Sequence, residues 1–176
     1  GYMFGQYKRL VNRFEGVLTG KGLSYGGLRG RTEATGYGIV FFANAMLEAN
    51  GEKLAGKEVA VSGFGNVAWG TVAKLNELGA KVITISGPDG YIYDPNGVSG
   101  EKVDYMLDLR ASGKNICSPY VDKFPGAKFV AGKKPWEVKA DLYIPCATQN
   151  EILIEDAKAI VANGCKFVCE GSNMSS

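Results

Sequence analysis

The residues best suited to chemistry are concentrated in "KEVAVSGFGNVAWGTVAKLNELGAKVITISGPDG", Lys57 to Gly90. Gly63, Gly65 and Ala68 match G-x-G-x-x-[GA] between an alternating β-branched run and a helix-forming run. Each position has a mechanical reason. Gly63 permits a sharp exit from the strand, Gly65 lets backbone approach a pyrophosphate, and Ala68 keeps the helix close to the sheet. A helix opening near Asn66 would then aim free N–H groups and a positive dipole end at the phosphates. Strand, glycine turn, helix and second strand within about thirty residues predict a dinucleotide site.

The end of the second strand discriminates between nucleotides. Where many such sites carry an acid for the ribose hydroxyls, this chain has Ser86 and Gly87, and the first carboxylate is Asp89. Asp89 can reach a ribose from the loop, and the residues alone also allow "GPDG" to be a plain solvated turn. No Lys or Arg lies between Lys81 and Lys102, so the loop holds no local cation for a 2′-phosphate, which Asp89 would repel. NAD is expected in preference to NADP.

Other chemistries are poorly supplied. The 176 residues include no histidine, which removes the commonest general base and a usual zinc ligand. Cys117, Cys146, Cys165 and Cys169 form no C-x-x-C pair and read as structural thiols, so no metal site is expected. With 20 basic and 18 acidic side chains spread along the chain there is no basic stripe, and nucleic acid is not an expected partner. No apolar run approaches the ~20 residues of a membrane span. The N-terminal "GYMFGQYKRL" lacks the features of a secretory signal, so a cytoplasmic chain is expected.

The elements that must position these residues follow from hydrophobic period. Tyr7, Leu10, Val11 and Phe14 make one helical stripe over residues 2–14. A glycine-rich loop follows, and "TEATGYGIVFFANAMLEANG" reads as a largely buried helix opened by Thr32 and Glu33, with an irregular first turn at Gly36 and Gly38. Strands are expected at 58–62 and 81–86, with a helix over 66–78 between them. "GYIYDPNG" reads as a short strand. Ser99 is expected to cap a helix running to about Ala111, with Lys102 outward and Val103, Met106 and Leu107 inward. "AKFV", "DLYIPCA" and "CKFVCEG" read as strands, "PWEV" as a short helical turn and "IEDAKAIVANG" as a helix. Alternating strands and helices predict an α/β fold, a doubly wound, mostly parallel sheet of Rossmann type with an N-terminal helical segment. The expected division is a helical linker segment over 1–50, packed on a dinucleotide-binding domain over 51–176.

Four stretches together resemble the hexameric glutamate dehydrogenase family: "RTEATGYG" (Arg31 to Gly38), "GFGNVAWG" (Gly63 to Gly70), "PCATQNE" (Pro145 to Glu151) and "EGSNM" (Glu170 to Met174). Their order and spacing fit that family's cofactor domain over essentially the whole chain. The glycine turn is shared with dehydrogenases of leucine and phenylalanine; "EATGYG" paired with "CATQNE" points to glutamate. The resemblance implies that Arg31 and Thr35 lie by the nicotinamide, Thr35 near its carboxamide. It puts Phe64, Asn66 and Val67 along the pyrophosphate and adenosine path, and Pro88 and Asp89 beside the adenine ribose, as in NAD-preferring members. Ala147 and Thr148 would close over the adenosine or its ribose, while Asn150 and Asn173 would meet the nicotinamide side. For Thr35, Asn150 and Asn173, a polar residue at an element's end also fits simple capping. Two departures stand out: Thr32 replaces the family's proline, and after "SNM" the chain reads Ser175-Ser176.

In the family the catalytic lysine and aspartate belong to a separate substrate domain, which is expected to be absent here. Lys21 in "TGKGLSYGG" resembles the lysine segment only superficially. The implied parent reaction is oxidative deamination of L-glutamate to 2-oxoglutarate and ammonia, with hydride transfer to nicotinamide, in a homohexamer. The chain alone is expected to bind the dinucleotide, to hold no catalytic residue and to be inactive, meeting glutamate or 2-oxoglutarate only with the missing domain. The alternatives are the cofactor domain of another amino-acid dehydrogenase and a stand-alone NAD-sensing module.

Overall fold

A computed structural model of the chain describes residues 1–18, 20 and 22–176; Lys21 lies outside the described residues. Six strands form one sheet: β1 (Glu58–Val61), β2 (Lys81–Gly87), β3 (Gly90–Tyr93), β4 (Lys128–Ala131), β5 (Leu142–Ile144) and β6 (Phe167–Val168). Their spatial order is β4-β3-β2-β1-β5-β6. β1 runs parallel to β2 and β5, and β6 parallel to β5. Being covered on both faces, the central strands are almost continuously apolar, and consecutive residues enter different cores. Val59 and Val61 of β1 join one cluster, and Ala60 between them joins the other with Ile83, Tyr143 and Trp136.

The far edge is antiparallel, β3 against β2 and β4 against β3. The Gly87–Gly90 register leaves only Pro88 and Asp89 between β2 and β3, a tight turn that can only reverse the chain. The strand at "GYIY" is therefore as expected, and its direction makes the sheet mixed.

The helices are α1 (Tyr2–Val11), α2 (Ala34–Ala49), α3 (Asn66–Glu77), α4 (Glu101–Ala111), α5 (Tyr120–Lys123) and α6 (Ile154–Ala162), with single 3₁₀ turns at Leu23–Tyr25 and Pro135–Glu137. α1 stops short of Phe14 because Asn12 takes a left-handed conformation, φ 51°. Val40, Ala43 and Leu47 of α2 are fully buried in the main core, each large aliphatic side chain contributing about 1.5–3 kcal/mol. α2 thus packs as part of the layer beside the sheet, although it precedes residue 50. In α1, by contrast, Phe4 is the buried residue, against Phe14 and Tyr25, and Tyr2, Met3 and Leu10 are exposed.

Three local readings are corrected. Gly36 does not disturb the start of α2; it lies where α2 crosses α3, and a Cβ there would sit 2.4 Å from the Thr71 nitrogen. Gly100, not Ser99, precedes α4, without a side-chain cap. On α4, Lys102 turns inward to Asp94 Oδ2 at 2.6 Å, while Leu107 is exposed; a buried carboxylate attracts the ammonium more than helical period predicts.

Candidate functional site

A cleft of about 450 Å³ opens where the parallel strands β1, β2 and β5 end at their C-terminal sides. Such a crevice is where open α/β sheets bind ligands. Its wall comprises Gly63, Phe64 and Gly65 after β1, Ser86, Gly87 and Pro88 at the end of β2, and Cys146, Ala147 and Thr148 after β5. Arg110, Asn115 and Lys134 close it from the side.

The two glycines of the turn are required for different reasons. Gly63 has φ 95°, and a Cβ on it would lie 2.6 Å from the Cys146 carbonyl oxygen, so the protein itself demands glycine. Gly65 has φ −84° and ψ −172°, open to any residue, and a Cβ there would meet no protein atom within 4 Å. What its hydrogen leaves room for lies in the cleft. Directly beyond it α3 begins, with no side-chain cap on its first N–H groups. Arg110 Nη2 reaches this point and donates to Asn66 Oδ1 at 2.6 Å. A guanidinium beside the positive end of a helix is unfavourable for the protein alone and favourable once an anion lies between them.

Side-chain hydroxyls pin the strand ends. Ser86 Oγ accepts from Gly63 N at 2.8 Å, and Thr84 Oγ1 both accepts from Val61 N and donates to Val61 O, each at 3.0 Å. Ser62 Oγ accepts from Cys146 N at 3.0 Å and donates to Glu151 Oε2 at 2.7 Å. Phe64 turns its ring into the core, edge-on to Trp69, whose Nε1 donates to the Phe64 carbonyl at 3.0 Å; only the Phe64 position, not a free ring, borders the cleft. Cys146 is buried, and burial pushes its thiol up to about 12, so it is a wall and not a nucleophile at neutral pH.

Of the residues expected from sequence, Gly63, Phe64, Gly65, Pro88, Ala147 and Thr148 line this cleft, and Asn66 stands at its rim through Arg110. Val67 is half-buried on α3 against the core. Asp89 is half-buried beside Pro88 and is not part of the lining; its carboxylate accepts from Cys117 N at 2.9 and 3.0 Å and from Ser118 N at 2.9 Å. Thr35 is exposed on the first turn of α2, and Arg31 lies beside the glycine-rich loop with Gly26, Gly27 and Leu28, away from the cleft lining. Asn150 and Asn173 are exposed on neighbouring segments, joined by Asn150 N donating to Met174 O at 2.8 Å.

Sequence reasoning missed Arg110, Asn115 and Lys134 in the lining and the buried hydrogen bond of Glu151 to Ser62. The two cations lie far from the glycine turn in the chain, so inspecting only the loop after β2 could not find them. Among the described residues no group of three or more Cys, Asp or Glu is arranged to hold a metal. No helix of the described residues is long and apolar enough to cross a membrane.

Comparison with known proteins gives this geometry its family. The chain is 64% identical over 174 residues to the NAD-specific glutamate dehydrogenase of Bacteroides fragilis (strain YCH46), covering 99% of this chain and 39% of that protein. It is 48% identical over 174 residues to the NADP-specific glutamate dehydrogenase of Haemophilus influenzae (strain ATCC 51907 / DSM 11121 / KW20 / Rd), covering 99% of this chain and 38% of that one. A solved glutamate dehydrogenase superimposes with a TM-score of 0.92 at 54% identity, covering all of this chain and 39% of its own. The chain thus spans about two-fifths of the length of the relatives it matches. Residues 26–176 match the Glutamate/Leucine/Phenylalanine/Valine dehydrogenase family, and the chain belongs to it.

Proposed function

We propose that this chain is the nicotinamide-dinucleotide-binding part of a glutamate dehydrogenase, and that the groups acting on the amino acid are contributed by the remaining three-fifths of a protein like its relatives. The observation that carries the reading is the convergence at Gly65: an open position where a side chain would intrude, the free N–H groups of α3, and the Arg110 guanidinium. Together they suit a pyrophosphate. Gly63, Gly65, Asn66 and Val67 would hold it, Pro88 and Asp89 would flank the adenine ribose, and Ala147 and Thr148 would cover the adenosine. Arg31, Thr35, Asn150 and Asn173 would orient the nicotinamide, the ring that supplies hydride-accepting chemistry when the dinucleotide is bound.

NAD is the better fit within this reading. Asp89 is the acid of the β2–β3 turn, and its three hydrogen bonds leave one of about four acceptor sites for a ribose hydroxyl, whereas a 2′-phosphate would meet its charge. Without the groups that position glutamate, the chain alone turns nothing over, because even a ~1 Å misplacement costs about a hundredfold in rate.

Gly65→Ala tests the reading. With no protein atom within 4 Å of the added methyl, unfolding free energy should change by less than about 0.5 kcal/mol, while NAD affinity, read by calorimetry, falls at least about tenfold. Unchanged affinity would remove the pyrophosphate from this turn.

A further inference from the structure

We propose that Glu151 is a positioning residue for dinucleotide binding, its carboxylate latching the loop after β5 and the segment after β6 onto the end of β1. The inference rests on the dinucleotide reading above. Glu151 is only 6% exposed and is absent from the cleft lining, so it would touch no ligand. Its oxygens are instead taken by donors from three parts of the chain. Oε2 accepts from Ser62 Oγ at 2.7 Å; Oε1 accepts from Ala147 N at 3.0 Å and from Ser172 Oγ at 3.3 Å. The Ser62 hydroxyl is itself fixed, because Cys146 N donates to it at 3.0 Å and its one proton is left for the carboxylate.

Every partner is a neutral donor; no Lys or Arg pairs with Glu151 among the described residues. A carboxylate with that environment is expensive to bury and is retained where its geometry is needed. That geometry governs the cleft, because the amides it organises belong to Cys146 and Ala147, both in the wall. Next to it in the chain lies one of two left-handed residues that meet each other. Asn150 and Met174 both have positive φ, 52° and 50°, and meet through Asn150 N donating to Met174 O at 2.8 Å, followed by Ile152 N donating to Ser175 O at 2.8 Å. Non-glycine residues hold such conformations only where surroundings over-determine them, and they cluster at ligand clamps. The two asparagines exposed beside this double turn, Asn150 and Asn173, are then presented from a fixed base and not from two independent loops.

The test is calorimetric titration of the chain with NAD, comparing Glu151→Gln and Ser62→Ala with Asp94→Asn. Asp94 is another buried carboxylate, at the opposite end of the sheet and outside the cleft. Glutamine keeps the shape but must offer an NH₂ to one of three donors. The expected result is a dissociation constant raised about tenfold by Glu151→Gln and about threefold by Ser62→Ala, with Asp94→Asn within about twofold of wild type. Urea unfolding establishes that each variant is folded, and if Glu151→Gln is not, Ser62→Ala carries the test. Wild-type affinity in the folded Glu151→Gln variant, or an equal loss in Asp94→Asn, overturns the proposal. Absence of NAD binding by the wild-type chain overturns the dinucleotide reading itself, a result distinct from wild-type binding that Glu151→Gln leaves untouched.

Discussion

Two carboxylates are buried at opposite ends of the same sheet and are held in opposite ways. Asp94, 1% exposed, follows β3 at the end where the parallel strands begin; it accepts from Lys102 Nζ at 2.6 Å, Tyr120 OH at 2.7 Å and Asn96 N at 2.9 Å. Its charge is balanced on the spot by the Lys102 ammonium, which also donates to Gly97 O at 2.9 Å. Glu151, where the parallel strands end, has hydroxyl and amide partners only. The difference separates anchoring from positioning. The neutralised pair ties β3 to α4 and α5, whereas Arg110 and Lys134 at the cleft end line the opening.

Breaking the anchor should give the largest effect. Asp94→Asn leaves Lys102 half-buried without a counter-charge, and loss of one partner of a buried pair costs about 3 kcal/mol. For a chain of this size that lowers the melting temperature by roughly 6–12 °C. Adding Lys102→Met should recover part of the loss, because removing both charges is far cheaper than removing one. Unfolding in urea measures both. If Asp94→Asn cost less than about 1 kcal/mol, the contrast between the two ends would lose its energetic basis.

Acid sharpens the same contrast. Burial alone would raise the Asp94 carboxyl, but the Lys102 ammonium, the Tyr120 hydroxyl and the Asn96 amide more than offset it and hold it below its ordinary value. A folded value below the unfolded one, about 3.9, means that the contribution is complete above that pH and is lost as pH falls through the folded value. The stability gap between wild type and Asp94→Asn should therefore be constant near neutrality and narrow below about pH 4. A gap that widened with acid would reverse the assignment of Lys102 as its partner.

These two ends were unequally legible in the sequence. The glycine turn, the strands beside it and α3 were plain because period, glycine placement and helix start all act within about thirty residues. The same local signals located β3 but not its direction, which depends on the Gly87–Gly90 turn being too short for a crossover. Helical period assigns Lys102 to solvent, and only the fold brings a buried carboxylate beneath it. Ser62, Glu151 and Ser172 are 89 and 21 residues apart as hydrogen-bonded pairs, beyond any pattern in a single sequence. The loop after β2, read alone, favours NAD, whereas the fold adds Lys134, from the turn after β4, to the same cleft.

Lys134 provides the finest test of the view that the cleft end keeps its charges for a ligand. It lines the cleft with Pro88 and Asn115, and Pro88 is the neighbour of Asp89 in the β2–β3 turn. There the carboxylate opposes a 2′-phosphate and the ammonium favours it. A single exposed charge at about 4 Å is worth roughly 1 kcal/mol in water, about fivefold in affinity. Lys134→Met should leave stability within about 0.5 kcal/mol of wild type, since among the described residues its side chain joins no hydrogen-bonded network like that of Asp94. NADP affinity should fall about fivefold and NAD affinity by less than about twofold, read by parallel titrations at one salt concentration. Equal losses for both nucleotides would assign Lys134 to the shared pyrophosphate, beside Arg110, and the proposed preference for NAD would then rest on Asp89 alone.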